Sequence, residues 1–179
     1  MKNSILRYVL VLTIIAVSSG IALGFFNSVT AEQIAANRRA REVAAVQRVL
    51  GIDQFSEKVV DGKKLYTAQT PDGELVAFTC APSGFSGPIS LMVSVNLEAE
   101  TVRRVVVLEH AETPGLGARI QESWFTQQFA GKALKDPFVV KKDVEAITGA
   151  TISSTAVTRG IKEEAARVVA LLKAGVDGE

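Results

Sequence analysis

The sequence contains one cysteine, Cys80, and one histidine, His110, in 179 residues. A single cysteine excludes an intrachain disulfide, an iron–sulfur cluster held by this chain's thiolates and a haem attached through a CxxCH motif. A single histidine excludes a metal site built from several histidines. If the protein carries electrons, an organic cofactor must hold them.

The chain also lacks an excess of charge of either sign, with 20 Lys+Arg against 19 Asp+Glu. Residues 1–30 contain Lys2 and Arg7 and no acidic residue, so the remainder carries 18 basic and 19 acidic side chains. A nearly neutral domain without a basic tract is a poor binder of nucleic acids. This composition therefore argues against a nucleic-acid partner.

One long apolar run is present near the N-terminus, because no charged residue occurs from Tyr8 to Ala31. About 20 such residues suffice to cross a bilayer. We expect residues 1–30 to form a retained single-pass membrane anchor. The alternative is a secretory signal peptide cleaved after Ala31, although the apolar core of a signal peptide is usually only about 7 to 15 residues long.

The orientation of this anchor follows weakly from the charges that flank it. Lys2 and Arg7 precede the run, whereas Arg38, Arg39 and Arg41 follow it, so the positive-inside rule gives nearly a tie. The short N-terminal stub favours a cytoplasmic N-terminus. We therefore expect the following domain on the extracytoplasmic side of the cell membrane.

A second helix is predicted directly after the anchor. Thr30 and Gln33 have the spacing of a capping box, and a loose apolar stripe then continues as far as Gly51. Gly51 is a typical helix terminator. The pattern predicts a juxtamembrane helix over residues 31–52 and a separate domain over residues 53–179.

Short apolar runs typical of β-strands fill the next part of the chain. The predicted strands are Lys58–Val60, Leu65–Gln69, Leu75–Cys80, Ile89–Val95 and Val102–Leu108. Pro71-Asp72-Gly73 indicates a tight turn between two of them, and the last two are expected to form an antiparallel hairpin.

Helical patterns follow the strands. Ile120, Trp124, Phe125 and Phe129 recur at helical spacing and predict a short amphipathic helix that closes at Gly131. A brief strand is predicted at Phe138–Val140. Val157, Ile161, Val168 and Leu172 then mark a terminal helix of nearly five turns. The fold class is α+β, an antiparallel sheet with flanking helices.

The most distinctive polar segment is Thr148-Gly149-Ala150-Thr151, placed immediately before the terminal helix. Backbone amides at a helix N-terminus form a ready site for an anion such as phosphate. Gly149 and Ala150 allow close approach of the backbone, Ser153 or Ser154 can cap the helix, and Thr151 presents its hydroxyl to the anion. The alternative is an ordinary capped turn.

Three other features have both a functional and a structural interpretation. The loop Glu112–Gly117, which includes Thr113, Gly115 and Leu116, can face a ligand with its amides or simply connect two elements. Trp124 can line a planar ligand, although packing in the core is the more common role. Cys80 and His110 are expected to be structural.

Together these segments resemble a known family. In addition to the membrane helix, the shared segments are Gly84–Ile89, His110–Gly117, Trp124 with Gln128–Lys132, and Ala146–Ser154. They resemble the FMN-binding domain of the G subunit of the Rnf electron-transport complex and, more distantly, the C subunit of the sodium-pumping NADH:quinone reductase. The roughly 149 residues after the anchor favour the more compact G subunit.

The resemblance implies that FMN is attached through its phosphate to Thr151, with neighbours at Thr148, Gly149, Ala150, Ser153 and Ser154. It also implies that the loop Glu112–Gly117 approaches the isoalloxazine ring and that Lys132 lies near the phosphate or the ring. In the family a separate flavin transferase makes the bond from FAD. Its recognition pattern usually has an aspartate where this chain has Glu145.

The function implied by the resemblance is electron transfer by a membrane-anchored flavoprotein, one subunit of an ion-translocating ferredoxin:NAD oxidoreductase and not a complete enzyme by itself. Its partners would be the other membrane, iron–sulfur and flavin subunits of that complex. Three alternatives remain at this point: a quinone-reductase subunit, a stand-alone extracytoplasmic FMN carrier, and a membrane-anchored binding or structural module without a redox role.

Overall fold

The computed structural model describes residues 2–176, and their side chains from residue 5 to residue 174. The chain divides between Arg41 and Glu42 into two compact units. The first contains most of a long helix, α1 (Lys2–Leu50). The second contains the end of α1, a five-stranded sheet, a short helix α2 (Ser123–Thr126) and a long helix α3 (Thr151–Val176).

Helix α1 is continuous through the position where the sequence predicts a new helix to begin. Thr30 does not cap a helix, because it lies inside α1 and its hydroxyl donates to the carbonyl oxygen of Phe26 at 2.7 Å. The predicted capping box is therefore wrong, since the preceding apolar run is itself helical. Within α1 lies a stretch long and apolar enough to cross a membrane by length and composition. Side chains 5–41 are exposed throughout.

The last two turns of α1 belong to the second unit and cover one face of its sheet. The buried contacts join Ala45, Val46, Val49 and Leu50 of α1 to Tyr66, Ala68, Leu75, Ala77 and Met92 of the sheet. The Ser94 hydroxyl donates to the carbonyl oxygen of Val49 at 2.7 Å. The helix ends at Gly51, as predicted, where φ is +74°.

The sheet is an antiparallel meander of five strands in sequence order. The strands are β1 (Ser56–Val60), β2 (Lys63–Thr70), β3 (Gly73–Cys80), β4 (Ser90–Asn96) and β5 (Thr101–Glu109). All five overlap the predicted strands, and the predicted hairpin between the last two is confirmed. The turn between β2 and β3 lies at the predicted residues 71–73.

Helix α3 covers the opposite face of the sheet and completes the main core. Val157, Ile161 and Val168 are fully buried against it, as the apolar spacing predicts. The helix is longer than predicted, with 26 residues. A methyl group on Gly160 would lie 2.7 Å from the side chain of Pro82, so glycine permits the close contact between α3 and the segment after β3.

The predicted amphipathic helix is interrupted. A 3-10 turn at Gly117–Gln121 precedes α2, and a second at Gln127–Phe129 follows it. Glu122, with φ −66° and ψ 142°, is extended and separates the first turn from α2. The apolar side chains nevertheless point to one core, because Ile120, Phe125 and Phe129 are all fully buried.

The predicted strand at residues 138–140 is wrong. Phe138 and Lys141 adopt positive φ angles of 52° and 68°, which a β-strand cannot accommodate. The reason is the carboxylate of Asp143, which accepts backbone N–H bonds from Phe138 at 2.9 Å and Val139 at 2.5 Å. These bonds curl the segment into a loop around Asp143.

Candidate functional site

The site is built around the first turn of α3. The carbonyl oxygen of Ala150 accepts the N–H of Ser154 at 3.0 Å, so α3 begins at Thr151. The N–H groups of Thr151, Ile152 and Ser153 therefore have no acceptor inside the helix. No residue of this first turn is itself acidic, and the one acidic side chain bound to it, that of Glu112, contacts the Ser153 hydroxyl. The backbone N–H groups of a helix terminus favour an anion.

The turn before α3 is held in place by Ser154. Its hydroxyl accepts the N–H of Ile147 at 3.1 Å and donates to the carbonyl oxygen of Ala150 at 2.9 Å. Gly149 has a φ of +79°, a conformation suited to glycine. Ser153 and Ser154 both lie inside α3, so neither is its N-cap residue, and the predicted capping role is wrong for both.

A buried carboxylate, that of Glu112, joins three segments around this helix terminus. Glu112 is only 4% exposed. One of its oxygens accepts the N–H of Ser86 at 2.8 Å, and the other accepts the hydroxyl of Ser153. Each oxygen of the carboxyl group therefore has one hydrogen-bond partner. Glu112 therefore ties the loop after β3 and its own loop to α3.

Two glycines make room for this carboxylate. A methyl group on Gly84 or on Gly117 would lie 2.6 Å from an oxygen of Glu112, far inside contact distance. Gly84 and Gly117 thus have a common physical reason, namely the close approach of two loops to one buried side chain.

The three segments enclose a mostly apolar pocket of about 370 Å³, here named the apolar pocket. Eight predicted site residues line it: Glu112, Thr113, Leu116, Gly117, Gly149, Ala150, Thr151 and Ser153. Phe85 and Ile152 complete the lining and were missed. Together with Leu116 they keep between 45% and 67% of their surfaces exposed and give the pocket an apolar lining.

Beside this pocket lies a more open polar cleft of about 660 Å³, lined by residues 141–149 and Thr151. Glu145 and Thr148, both predicted site residues, belong to it. Gly149 and Thr151 line both spaces. The exposed Thr151 hydroxyl therefore lies where the polar cleft meets the apolar pocket.

Four other predicted residues lie outside both spaces. Gly115 is exposed at the tip of its loop, and the buried Ser154 holds the turn before α3. Trp124 packs edge-on against Phe125, and its indole N–H donates to Glu122. The Lys132 ammonium forms an ion pair with Asp143 at 2.9 Å.

The ion pair between Lys132 and Asp143 has a clear electrostatic signature. Desolvation raises the pKa of Asp143, but the hydrogen bonds from Lys132, Val139 and Phe138 outweigh it and lower the pKa to about 2. Both side chains are largely covered, at 15% and 19% exposure. The pair fixes the loop that leads into the polar cleft.

Cys80 and His110 take structural positions. Burial raises the pKa of the Cys80 thiol to about 12, despite the opposing charge of Lys63, so the thiol is a poor nucleophile. His110 accepts the backbone N–H of Glu112 through Nδ1 at 3.2 Å and so supports the loop that carries Glu112.

The site residues that were not predicted differ in the sequence signal that marks them. Phe85 is an aromatic residue in the glycine-rich and proline-rich segment Gly84–Ile89, so its exposure follows from its loop. Ile152 interrupts a run of hydroxyl-bearing residues at the start of a helix. The hydrogen bonds of Gln128 with the backbone of Glu145 have no sequence signal, because they connect residues 17 positions apart.

The arrangement suits a ligand with two chemically different parts. An anionic group fits the amides at the start of α3, and a flat apolar group fits between Phe85, Leu116 and Ile152. Thr151 lines both spaces. The residues present therefore fit a phosphorylated aromatic cofactor.

Comparison with known families gives two matches. A family model described as the FMN-binding domain matches residues 84–165. A second model, described as the RnfG N-terminal region, matches residues 1–49. The first range contains both loops of the apolar pocket and the start of α3.

The chain is also similar to curated proteins over nearly its whole length. It is 34% identical to the G subunit of the proton-translocating ferredoxin:NAD(+) oxidoreductase complex of Clostridium ljungdahlii, over 93% of each chain. It is 30% identical to the G subunit of the ion-translocating oxidoreductase complex of Escherichia coli K12, over 90% of each chain.

A solved structure, the C subunit of the Na(+)-translocating NADH-quinone reductase from Parabacteroides distasonis, matches with a TM-score of 0.48 and 23% identity. The match covers 56% of this chain and 58% of that one.

Proposed function

The chain belongs to the family of G subunits of ion-translocating ferredoxin:NAD(+) oxidoreductase complexes, and we propose that it carries its FMN covalently on Thr151. As a member of this family it is a membrane-anchored FMN electron carrier in such a complex. Bound FMN supplies reversible electron uptake, which the side chains of the site do not offer. The protein's own task is to hold, orient and shield the cofactor.

The observation that carries the proposed attachment is the position of Thr151. Its hydroxyl is exposed in the first turn of α3, where free backbone amides favour a phosphate. It also lies where the apolar pocket meets the polar cleft. A phosphate on this hydroxyl would accept hydrogen bonds from the N–H groups of Ile152 and Ser153.

The apolar pocket is the proposed place of the isoalloxazine ring. Phe85, Leu116 and Ile152 offer exposed apolar surface that a flat ring would cover. Thr113 and Gly117 of the neighbouring loop also line this pocket. Lys132 and Trp124 support the site from outside, through Asp143 and the aromatic core respectively.

Attachment requires a flavin transferase with FAD as the donor. The Thr151 oxygen bonds to the phosphorus of the FMN half, the pyrophosphate bond breaks, and AMP leaves with the bridging oxygen. The hydroxyl proton passes to a base of the transferase. A covalent tether keeps the flavin at high effective concentration, which matters where a dissociated cofactor would be diluted away.

The N-terminal apolar helix fits a single-pass anchor in a membrane complex. We propose that the N-terminus is cytoplasmic and that the flavin domain lies on the extracytoplasmic side. Its electron donor and acceptor are other redox subunits of the complex. A fluorescent tag that matures only in the cytoplasm, fused to one terminus or the other, tests this orientation. It should fluoresce at the N-terminus and stay dark at the C-terminus.

The proposed attachment is tested by producing the full chain in cells with and without a flavin transferase. We expect yellow protein with the transferase, and flavin fluorescence that stays with the chain on a denaturing gel. Failure of both the wild type and Glu145→Asp to gain flavin would contradict the attachment. Flavin gained by Glu145→Asp alone would show that glutamate at the recognition position prevents the transfer.

A further inference from the structure

Gln128 holds the backbone of Glu145. The N–H of Glu145 donates to Oε1 of Gln128 at 2.7 Å, and Nε2 of Gln128 donates to the carbonyl oxygen of Glu145 at 3.4 Å. Both bonds involve the main chain of residue 145. The carboxylate of Glu145 is therefore left exposed at the polar cleft.

The segment that contains Gln128 also provides a second anchor for the same loop. Lys132, four residues further on, binds the carboxylate of Asp143 at 2.9 Å. The third anchor is the hydroxyl of Ser154, which accepts the N–H of Ile147. Alternate residues 143, 145 and 147 are thus each fixed from outside the loop.

These anchors fix the main-chain position from which the Glu145 side chain extends. The two residues line the same polar cleft. The anchor of Asp143 and the anchor of Ile147 flank Glu145, whereas Gln128 acts on Glu145 itself. Since the Gln128 bonds are made to the main chain, they are independent of the side chain at position 145.

We propose that Gln128 is a positioning residue for modification of Thr151: it presents the carboxylate of Glu145 to the flavin transferase in a fixed relation to the acceptor hydroxyl. This inference rests on the proposed attachment of FMN to Thr151. It adds that recognition of the acceptor is discontinuous, because it depends on a residue outside the segment that contains Glu145 and Thr151.

The test compares variants of the full chain, purified in detergent from cells without a flavin transferase. Each is incubated with FAD, Mg²⁺ and a purified transferase, and intact-protein mass spectrometry follows the gain of FMN less one water. Gln128→Leu removes both bonds with little change in size. Gln128→Glu keeps the acceptor of the shorter bond, and Gln127→Leu is the matched control on the neighbouring exposed glutamine.

We expect Gln128→Leu to lower the initial rate of transfer about tenfold, the effect of losing one good hydrogen bond that orders the acceptor. We expect Gln128→Glu to remain within about threefold of the wild type. Gln127→Leu should transfer at the wild-type rate. Thermal unfolding of each variant checks that all are folded at the assay temperature.

A double-mutant cycle separates positioning from a general loosening of the loop. If Gln128 acts through the Glu145 carboxylate, Gln128→Leu should have little further effect in a Glu145→Gln background. An equal tenfold loss in both backgrounds would overturn the inference, as would a wild-type rate for Gln128→Leu in the native background. If neither the wild type nor Glu145→Asp accepts flavin, the proposed attachment is overturned, and this inference with it.

Discussion

The Ser153 hydroxyl donates a hydrogen bond to the buried carboxylate of Glu112, and this contact joins the loop after β5 to the first turn of α3. The other oxygen of Glu112 accepts the N–H of Ser86, so the loop after β3 is attached to the same group. One carboxylate therefore connects all three walls of the apolar pocket. Its hydrogen bonds offset the cost of burying a polar side chain.

Replacing Glu112 is expected to lower stability in proportion to the hydrogen bonds lost. Glu112→Ala leaves two donors without a partner and should cost about 3 kcal/mol of unfolding free energy, whereas Glu112→Gln keeps the shape and should cost about 1 kcal/mol. Urea unfolding of the three chains measures both values. Glu109→Ala, at an exposed position, should change stability by less than about 0.5 kcal/mol. Equal stabilities for Glu112→Ala and Glu109→Ala would contradict this role.

Asp143 is expected to make stability dependent on pH in the acidic range. The pKa of its carboxyl falls from an ordinary value of 3.8 to about 2 on folding. Because the folded-state pKa is the lower one, the stabilisation is fully present above about pH 4 and is lost as the pH falls towards 2. Asp143→Asn should therefore be less stable than the wild type at pH 7, and the difference should shrink between pH 4 and pH 2.

Thermal unfolding at a series of pH values checks this expectation. Asp136→Asn is the matched control, since Asp136 accepts one backbone N–H, that of Ala133, and forms no ion pair with a lysine among the described side chains. A stability difference between Asp143→Asn and the wild type that stays constant from pH 7 to pH 2 would contradict the lowered pKa of the Asp143 carboxyl.

The end of α1 is expected to be necessary for the stability of the flavin domain. A chain that begins at residue 42 keeps Val46, Val49 and Leu50 on the sheet, whereas one that begins at residue 53 exposes the face they cover. The loss of this burial is on the order of 5 kcal/mol. Thermal unfolding and dye binding to exposed apolar surface should show a stable longer chain and a destabilised or aggregating shorter one. Equal melting temperatures of the two chains would instead support a domain that begins at residue 53, as the sequence predicts.

The sheet could be predicted from the sequence because its signals are local. Apolar runs define β2 to β5, and the turn after β2 contains proline and glycine. The segment at residues 138–140 also has the composition of a strand, but the Asp143 carboxylate takes the N–H groups that a neighbouring strand would bind. A side chain that accepts the hydrogen bonds a neighbouring strand would accept does not change the hydrophobic periodicity of the sequence.

The candidate site was predictable where motif and local structure coincide, as they do for Thr151 at the start of α3. The relation between Glu112 and Ser153 was not, because it depends on how two elements pack 41 residues apart. Lys132 illustrates the same limit. The family resemblance implies that Lys132 lies near the phosphate or the ring, whereas the structure pairs it with Asp143.

The central claim is that Thr151 carries FMN as a phosphoester, and peptide mapping tests it most directly. The full chain, Thr151→Ala and the control Thr155→Ala, at an exposed position of α3 outside both spaces, are each produced with a flavin transferase, digested and analysed by mass spectrometry. We expect the mass of FMN less one water on the peptide that contains Thr151 in the wild type and in Thr155→Ala. Thr151→Ala should carry none and should unfold at nearly the wild-type temperature, since alanine removes only an exposed side chain. Covalent flavin retained by Thr151→Ala, or mapped to another residue in the wild type, would contradict the account.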